Sequence, residues 1–235
     1  MPDLSLSHPL VATLFWSAVT IGCYAAARAI GGRWRFWWTS PLLLTPLGVG
    51  AVALSLHAGY AEYIRGTHWL VLMMGPATVA FAIPIYEQRA LIRRHWPVLL
   101  VGVVVGSALA MGTALAMAHA FGLSEALQLS LMPRSTSTPF AMAVSGDIGG
   151  VPDLTAVFVI LTGICGAALG EVVLKVMPLR SSLARGALFG MGAHGAGVAR
   201  AHQIGGEEGS IAGLVMVLAG LFNVMMAPVV AALLG

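Results

Sequence analysis

Charge is what this sequence has least of. Only 9% of its 235 residues are Asp, Glu, Lys or Arg, against about 25% in a typical soluble domain. So few charged groups cannot cover a water-soluble fold. With 58% of residues hydrophobic, the bilayer is the solvent that fits. Cysteine is scarce as well. Cys23 and Cys165 both lie in apolar runs, without metal-like spacing or a disulfide framework, and read as small core residues. No metal or other cofactor is implied. No Ser–His–Asp, HExxH or P-loop pattern is present, which argues against an enzyme. The net charge of +3 points to arginines in cytoplasmic loops rather than to nucleic acid. The opening "MPDLSLSHPL" lacks a basic n-region and runs straight into an apolar stretch, so no cleavable signal is expected.

Long apolar runs are what the chain has instead. A membrane span needs about 20 such residues. Candidate segments are 9–30, 41–59, 68–85, 97–120, 126–146, 154–177, 186–203 and 210–234. The expected fold is therefore all-α: a single polytopic membrane domain over 1–235, with about 7–8 membrane segments. Trp34, Trp37, Trp38, Trp69 and Trp96 stand at apparent span ends, as interfacial anchors do. Basic residues flank two loops: Arg28, Arg33 and Arg35, then Arg89, Arg93 and Arg94. If both loops are cytoplasmic, the protein sits in an inner membrane with its N-terminus outside. A third basic loop, with Lys175, Arg180 and Arg185, shares that side only if one segment between 97 and 177 fails to cross. The segment 126–146 is the candidate to enter and leave on one face.

Two segments are interrupted by helix breakers. In "LMPRSTSTPFA" Pro133 and Pro139 free backbone groups that hydrocarbon cannot satisfy, so this backbone must face protein or a wet cavity. Arg134, between them, would cost about 2.5–3.5 kcal/mol at the bilayer centre unless it meets an anion, an acid or water. Ser135, Thr136, Ser137 and Thr138 add hydroxyls beside it. Together they could bind a small carboxylate, the guanidinium gripping it in a bidentate manner. The bland alternative is an Arg134 that snorkels to the interface while the hydroxyls cap a helix. The second segment, "WLVLMMGPATVAFAIP", carries Gly75, Pro76 and Pro84 as hinge candidates, with Thr78 able to bond freed carbonyls. Aligned on Pro76 and Pro133, the two segments read as an internal, inverted repeat of the kind that builds transporter sites. An ordinary kinked span fits 68–85 as well.

Other polar residues admit two uses. Asp147 in "SGDIGGVPD" could neutralise Arg134 or carry a coupling proton, and Asp153 reads as a helix N-cap. In "ALFGMGAHGAGVARAHQIGGEEGS" the glycines read as close helix packing. His194 among them is either a packing residue or an ionisable group for substrate or proton. Glu171 is positioned to pair with Lys175 one turn on. Glu125 begins the broken segment, and Asn223 is placed for an interhelical hydrogen bond.

Three blocks carry a resemblance: "WLVLMMGPATVAFAIPIYEQ", "MPRSTSTPFAMAVSGDIGGVPDLTAVFVILTGICGA" and "ARGALFGMGAHGAGVARA". In order and spacing they resemble the LrgB/CidB family of bacterial membrane proteins, and the LrgB half of the plastid glycolate/glycerate translocator. The resemblance implies one of two functions. One is secondary transport of a small monocarboxylate such as glycolate, glycerate or pyruvate, by exchange or proton coupling. The other is holin/antiholin-like regulation of murein hydrolase export and cell lysis. It also implies a small membrane partner of the LrgA/CidA kind, a homodimer, or both. The family's distinctive blocks contain Thr78, Arg134 to Thr138, and His194. Many members have "SxxIGG" where this chain has Asp147 before the isoleucine, which weakens Asp147 as a general proton site.

Overall fold

The structure is a computed structural model describing residues 9–34 and 39–234. The tryptophan anchors Trp37 and Trp38, the basic residue Arg35 and most of the opening decapeptide lie outside the described residues. No strand occurs among those described, so the all-α expectation holds. Five helical stretches are long and apolar enough to cross a membrane: Pro9–Arg33, Tyr60–Glu87, Arg89–Ala120, Pro152–Val176 and Gly206–Leu233. The chain divides into two compact units, residues 1–77 and 78–235.

In the first unit, α1 (Pro9–Arg33), α2 (Pro41–Ser55) and α3 (Tyr60–Leu72) pack together. Ser40 caps α2 by accepting from the Leu42 amide at 3.3 Å. Trp16 is the buried anchor, edge-on to Tyr63 at 5.5 Å between ring centroids. Gly66 lets α3 close on it: a β-carbon there would lie 2.8 Å from Trp16 Cδ1. The Trp69 indole donates to Ser17 Oγ at 2.8 Å.

The stretch after α3 continues as α4 (Met74–Ala80) and α5 (Ala82–Glu87). Its joints keep right-handed helical dihedrals, φ −68°, ψ −13° at Met73 and φ −64°, ψ −11° at Phe81. Pro76 and Pro84 each fall in the first turn of a short helix, where a missing amide hydrogen is not needed. Segment 68–85 is therefore jointed without reversing.

The second unit is organised around α6 (Arg89–Ala120), α9 (Pro152–Val176) and α11 (Gly206–Leu234). Leu99 of α6 packs with Ile211 and Leu214 of α11, while Met111 packs farther along with Ala227. Between these helices lie two segments that fold back on themselves. The first is α7 (Glu125–Leu131), a 3-10 turn (Met132–Ser135) and α8 (Thr138–Asp147). Thr136 and Ser137 are extended between the arms, with ψ of 170° and 148°. Thr155 of α9 donates to the Ser130 carbonyl at 2.9 Å, and its hydroxyl lies 2.7 Å from Ser145 Oγ. In one straight helix Ser130 and Ser145 would stand about 22 Å apart. The segment has folded back on itself, as the charge pattern of the loops anticipates.

The second folded segment was not anticipated. Residues 186–203 read as a span, yet α10 (Ser182–Ile204) reverses at His194, whose φ of 35° and ψ of −122° are not helical. Gly197 abuts the Phe189 carbonyl, a separation of about 12 Å in a continuous helix. Ser182 donates to Glu207 Oε2 at 2.9 Å, so both arms return to one end.

Candidate functional site

The two hairpins enter from opposite ends of α9 and their tips meet adjacent residues at its middle. The first lies along the N-terminal half of α9. Three fully buried side chains lock it there: Ser130, Ser145 and Thr155. Ser130 Oγ also accepts from the Val151 amide at 2.8 Å, and the Gly150 amide donates to the Ser145 carbonyl at 2.8 Å. Gly149, at φ +88°, makes the turn a side chain would strain. The second hairpin lies along the C-terminal half of α9. Phe189 fills the space that Gly170 leaves, and Gly166 abuts the Gly192 carbonyl. Glycine at these positions lets backbone approach backbone.

At the first tip, Arg134 Nη1 donates to Thr162 Oγ1 at 3.4 Å, a long bond. At the second tip, His194 lies against Gly163, where a β-carbon would stand 2.7 Å from its Cε1. Thr162 and Gly163 are near the midpoint of a 25-residue helix, so both tips meet the middle of α9. A cleft of about 400 Å³ opens there. Its lining draws Leu131 and Arg134 from the first hairpin and Gly192 from the second. Thr162, Cys165 and Gly166 face it from α9, and Phe158, Leu161 and Leu169 extend the α9 wall. A separate cleft of about 380 Å³, lined by Tyr86, Arg89 and Arg93 among others, involves neither tip.

Arg134 is half-buried and no carboxylate pairs with it; the ion pairs among the described residues are Arg185–Glu208 at 3.8 Å and Arg200–Glu171 at 2.7 Å. Two further tip atoms are buried and without a hydrogen-bond partner, Ser137 Oγ and His194 Nε2. The remaining hydroxyls differ. Thr136 is buried and donates to the Pro133 carbonyl at 2.9 Å, closing the break. Ser135 and Thr138 are half-buried and, like Thr136 and Ser137, do not line the cleft.

Several expectations change. Asp147 does not approach Arg134: it is exposed and closes the ten-residue α8, whose rise sets it about 14 Å beyond Thr138. Glu171 pairs with Arg200 across to α10 rather than with Lys175. The N-cap of α9 is Val151, with Asp153 in the first turn, where it favours the helix dipole. Asn223 is buried with its carbonyl oxygen unpaired, so that oxygen makes no interhelical bond. Cys165 is not a core residue but an exposed one at the cleft. From segment 68–85, the ring of Phe81 reaches Phe140 in the first turn of α8, 5.5 Å between centroids. Thr78 lies in α4, its carbonyl accepting from the Phe81 amide at 3.1 Å, and the cleft lining includes no residue of that segment. Thr162 and Cys165 carried no sequence signal, being single polar residues in an otherwise apolar helix.

An all-helical chain with spans this apolar and two opposed, folded-back segments is a polytopic membrane protein. It belongs to the LrgB-like family, whose sequence pattern matches residues 20–233. It is similar to Uncharacterized protein YwbG of Bacillus subtilis (strain 168), 37% identical over 210 residues, covering 89% of this chain and 93% of that protein. It is also similar to Uncharacterized protein YxaC of the same organism, 34% identical over 212 residues, covering 90% of this chain and 92% of the relative. No solved structure matches the chain.

Proposed function

We propose that the protein is a secondary transporter of small monocarboxylates, with the substrate held where the two hairpin tips meet. One observation carries the reading: a guanidinium level with the middle of α9, beside a cleft of about 400 Å³, with no carboxylate among the described residues paired to it. Such a charge is costly in hydrocarbon and is stabilised by a bound anion. Arg134 holds the carboxylate and Thr162 bonds one of its oxygens. His194, with an unpaired buried Nε2 at the second tip, is the group for the coupled proton, and Ser137, buried behind the cleft wall, supports the first tip rather than the ligand. Ser135, Thr136 and Thr138 keep the tip open rather than contact the ligand. Thr78 supports α8 through its turn with Phe81. Opposed broken segments meeting at mid-depth are the arrangement in which alternating access works by moving one element against another.

The same reading assigns the hinges. Pro133 and Pro139 flank the first break, whereas Gly75, Pro76 and Pro84 joint the approach to it. The basic end, with Arg89, Arg93, Arg180 and Arg185, faces the cytoplasm across an inner membrane, and the N-terminus lies outside.

A second reading, a holin-like lysis regulator, draws on the apolar stripe Val157, Leu161, Leu169, Val172 and Val176, which α9 leaves exposed. That face suits a second copy or a small LrgA-like membrane protein. Proteoliposomes loaded with unlabelled glycolate, glycerate or pyruvate decide between the two. Transport gives saturable uptake of the labelled acid and no leak of a trapped dye. Dye leak without saturable uptake would establish the pore instead.

A further inference from the structure

The walls of the cleft are chemically lopsided. Arg134 is the one charged group that lines it, and Thr162 and Cys165 add a hydroxyl and a thiol. The rest is Leu131, Phe158, Leu161, Leu169 and glycine. The hydroxyl run beside Arg134 does not relieve this. Thr136 and Ser137 are 2% and 6% exposed, and neither lines the cleft. On α9, Phe158, Leu161, Thr162, Cys165 and Leu169 follow at helical spacing, so the hydroxyl and the apolar surface share one face. A ligand rich in hydroxyls would leave them unpaired against this wall, and a second carboxylate would meet no second cation.

We infer that the cleft selects monocarboxylates with a short apolar tail over polyhydroxy acids and dicarboxylates. This rests on the monocarboxylate reading above and narrows it. The carboxylate meets Arg134 and Thr162, and the tail lies along Phe158, Leu161 or Leu169. A volume of about 400 Å³ is within the range of small-molecule pockets, so a two- or three-carbon acid leaves wall uncovered. Each methylene that covers it gains up to about fourfold in affinity.

The test uses the full chain in proteoliposomes. Counterflow of labelled pyruvate is inhibited by external acetate, propionate, butyrate, valerate, glycerate or succinate. The half-inhibiting concentration falls by up to about fourfold per methylene from acetate to butyrate, and butyrate outcompetes glycerate and succinate. Leu161→Ser, which removes apolar wall from the cleft, flattens the series. A readout independent of transport is the reaction of N-ethylmaleimide with Cys165, followed by peptide mass spectrometry with Cys23 as internal control. Valerate protects Cys165 more than glycerate does. A flat series, or glycerate stronger than butyrate, with Arg134-dependent counterflow intact, overturns this inference alone. No Arg134-dependent counterflow and no protection of Cys165 by any acid overturns the transport reading with it.

Discussion

Arg134 and His194 stand on opposed hairpins yet contact consecutive residues of α9, Arg134 bonding Thr162 at 3.4 Å and His194 packing on Gly163. The tips thus share one level of one helix, and small changes at that level should be felt at both.

Gly166 and Gly192 test the close approach. A β-carbon at Gly166 would collide with the Gly192 backbone, which cannot move aside as a flexible side chain can, whereas Gly192 itself has nothing within 4 Å. Gly166→Ala should destabilise by about 1–3 kcal/mol, and Gly192→Ala should leave stability unchanged. Thermal melts of the two purified variants check the contrast. Equal melting temperatures would show that the second hairpin does not pack as described.

Thr155 is the bolt of the first hairpin, shared by Ser130 and Ser145 with all three buried. Thr155→Val leaves both partners short of a bond and should cost about 1–3 kcal/mol. Thr155→Ser keeps the hydroxyl and should recover most of it. Because the bolt holds the arm that carries Arg134, Thr155→Val should also weaken substrate affinity, read as a raised KM in counterflow.

His194 separates backbone from side chain. Its φ of 35° lies where glycine is at ease, so His194→Gly should fold and melt within about 1 kcal/mol of the parent. If the imidazole carries a proton, the same variant loses uptake driven by a pH gradient while exchange of substrate for substrate persists. Asp147→Asn, at the exposed end of α8, should change neither.

The Arg200–Glu171 pair at 2.7 Å is more than a third exposed on each side. Screening limits such a pair to less than about 1 kcal/mol. Glu171→Gln should therefore barely shift the melt, and Lys175→Ala not at all. A large loss from Glu171→Gln would mean the pair is buried in the working protein.

The membrane class was legible because apolar runs of spanning length are hard to mistake. The first reversal was legible because Pro133 and Pro139 interrupt a helix visibly in sequence and Arg134 makes the interruption polar. The second was not. Nothing in "GMGAHGAG" removes a backbone donor, so it reads as a small-residue packing helix, and the turn shows in the dihedrals of His194 and the approach of Gly197 to Phe189. Pro76 and Pro84 mark a segment that is jointed at Met73 and Phe81 but does not reverse, a distinction that proline alone does not encode. Thr162 and Cys165 owe their place at the cleft to the register of α9 against two hairpins, a tertiary relation that spacing along the chain does not encode.

The most direct measurement is equilibrium binding of labelled pyruvate to purified wild-type protein and to Arg134→Ala, with both variants shown to melt alike. The account predicts saturable binding to the wild type and a loss of it in Arg134→Ala, with partial recovery in Arg134→Lys, which keeps the charge but not the bidentate fork. Binding of undiminished affinity in Arg134→Ala would contradict it.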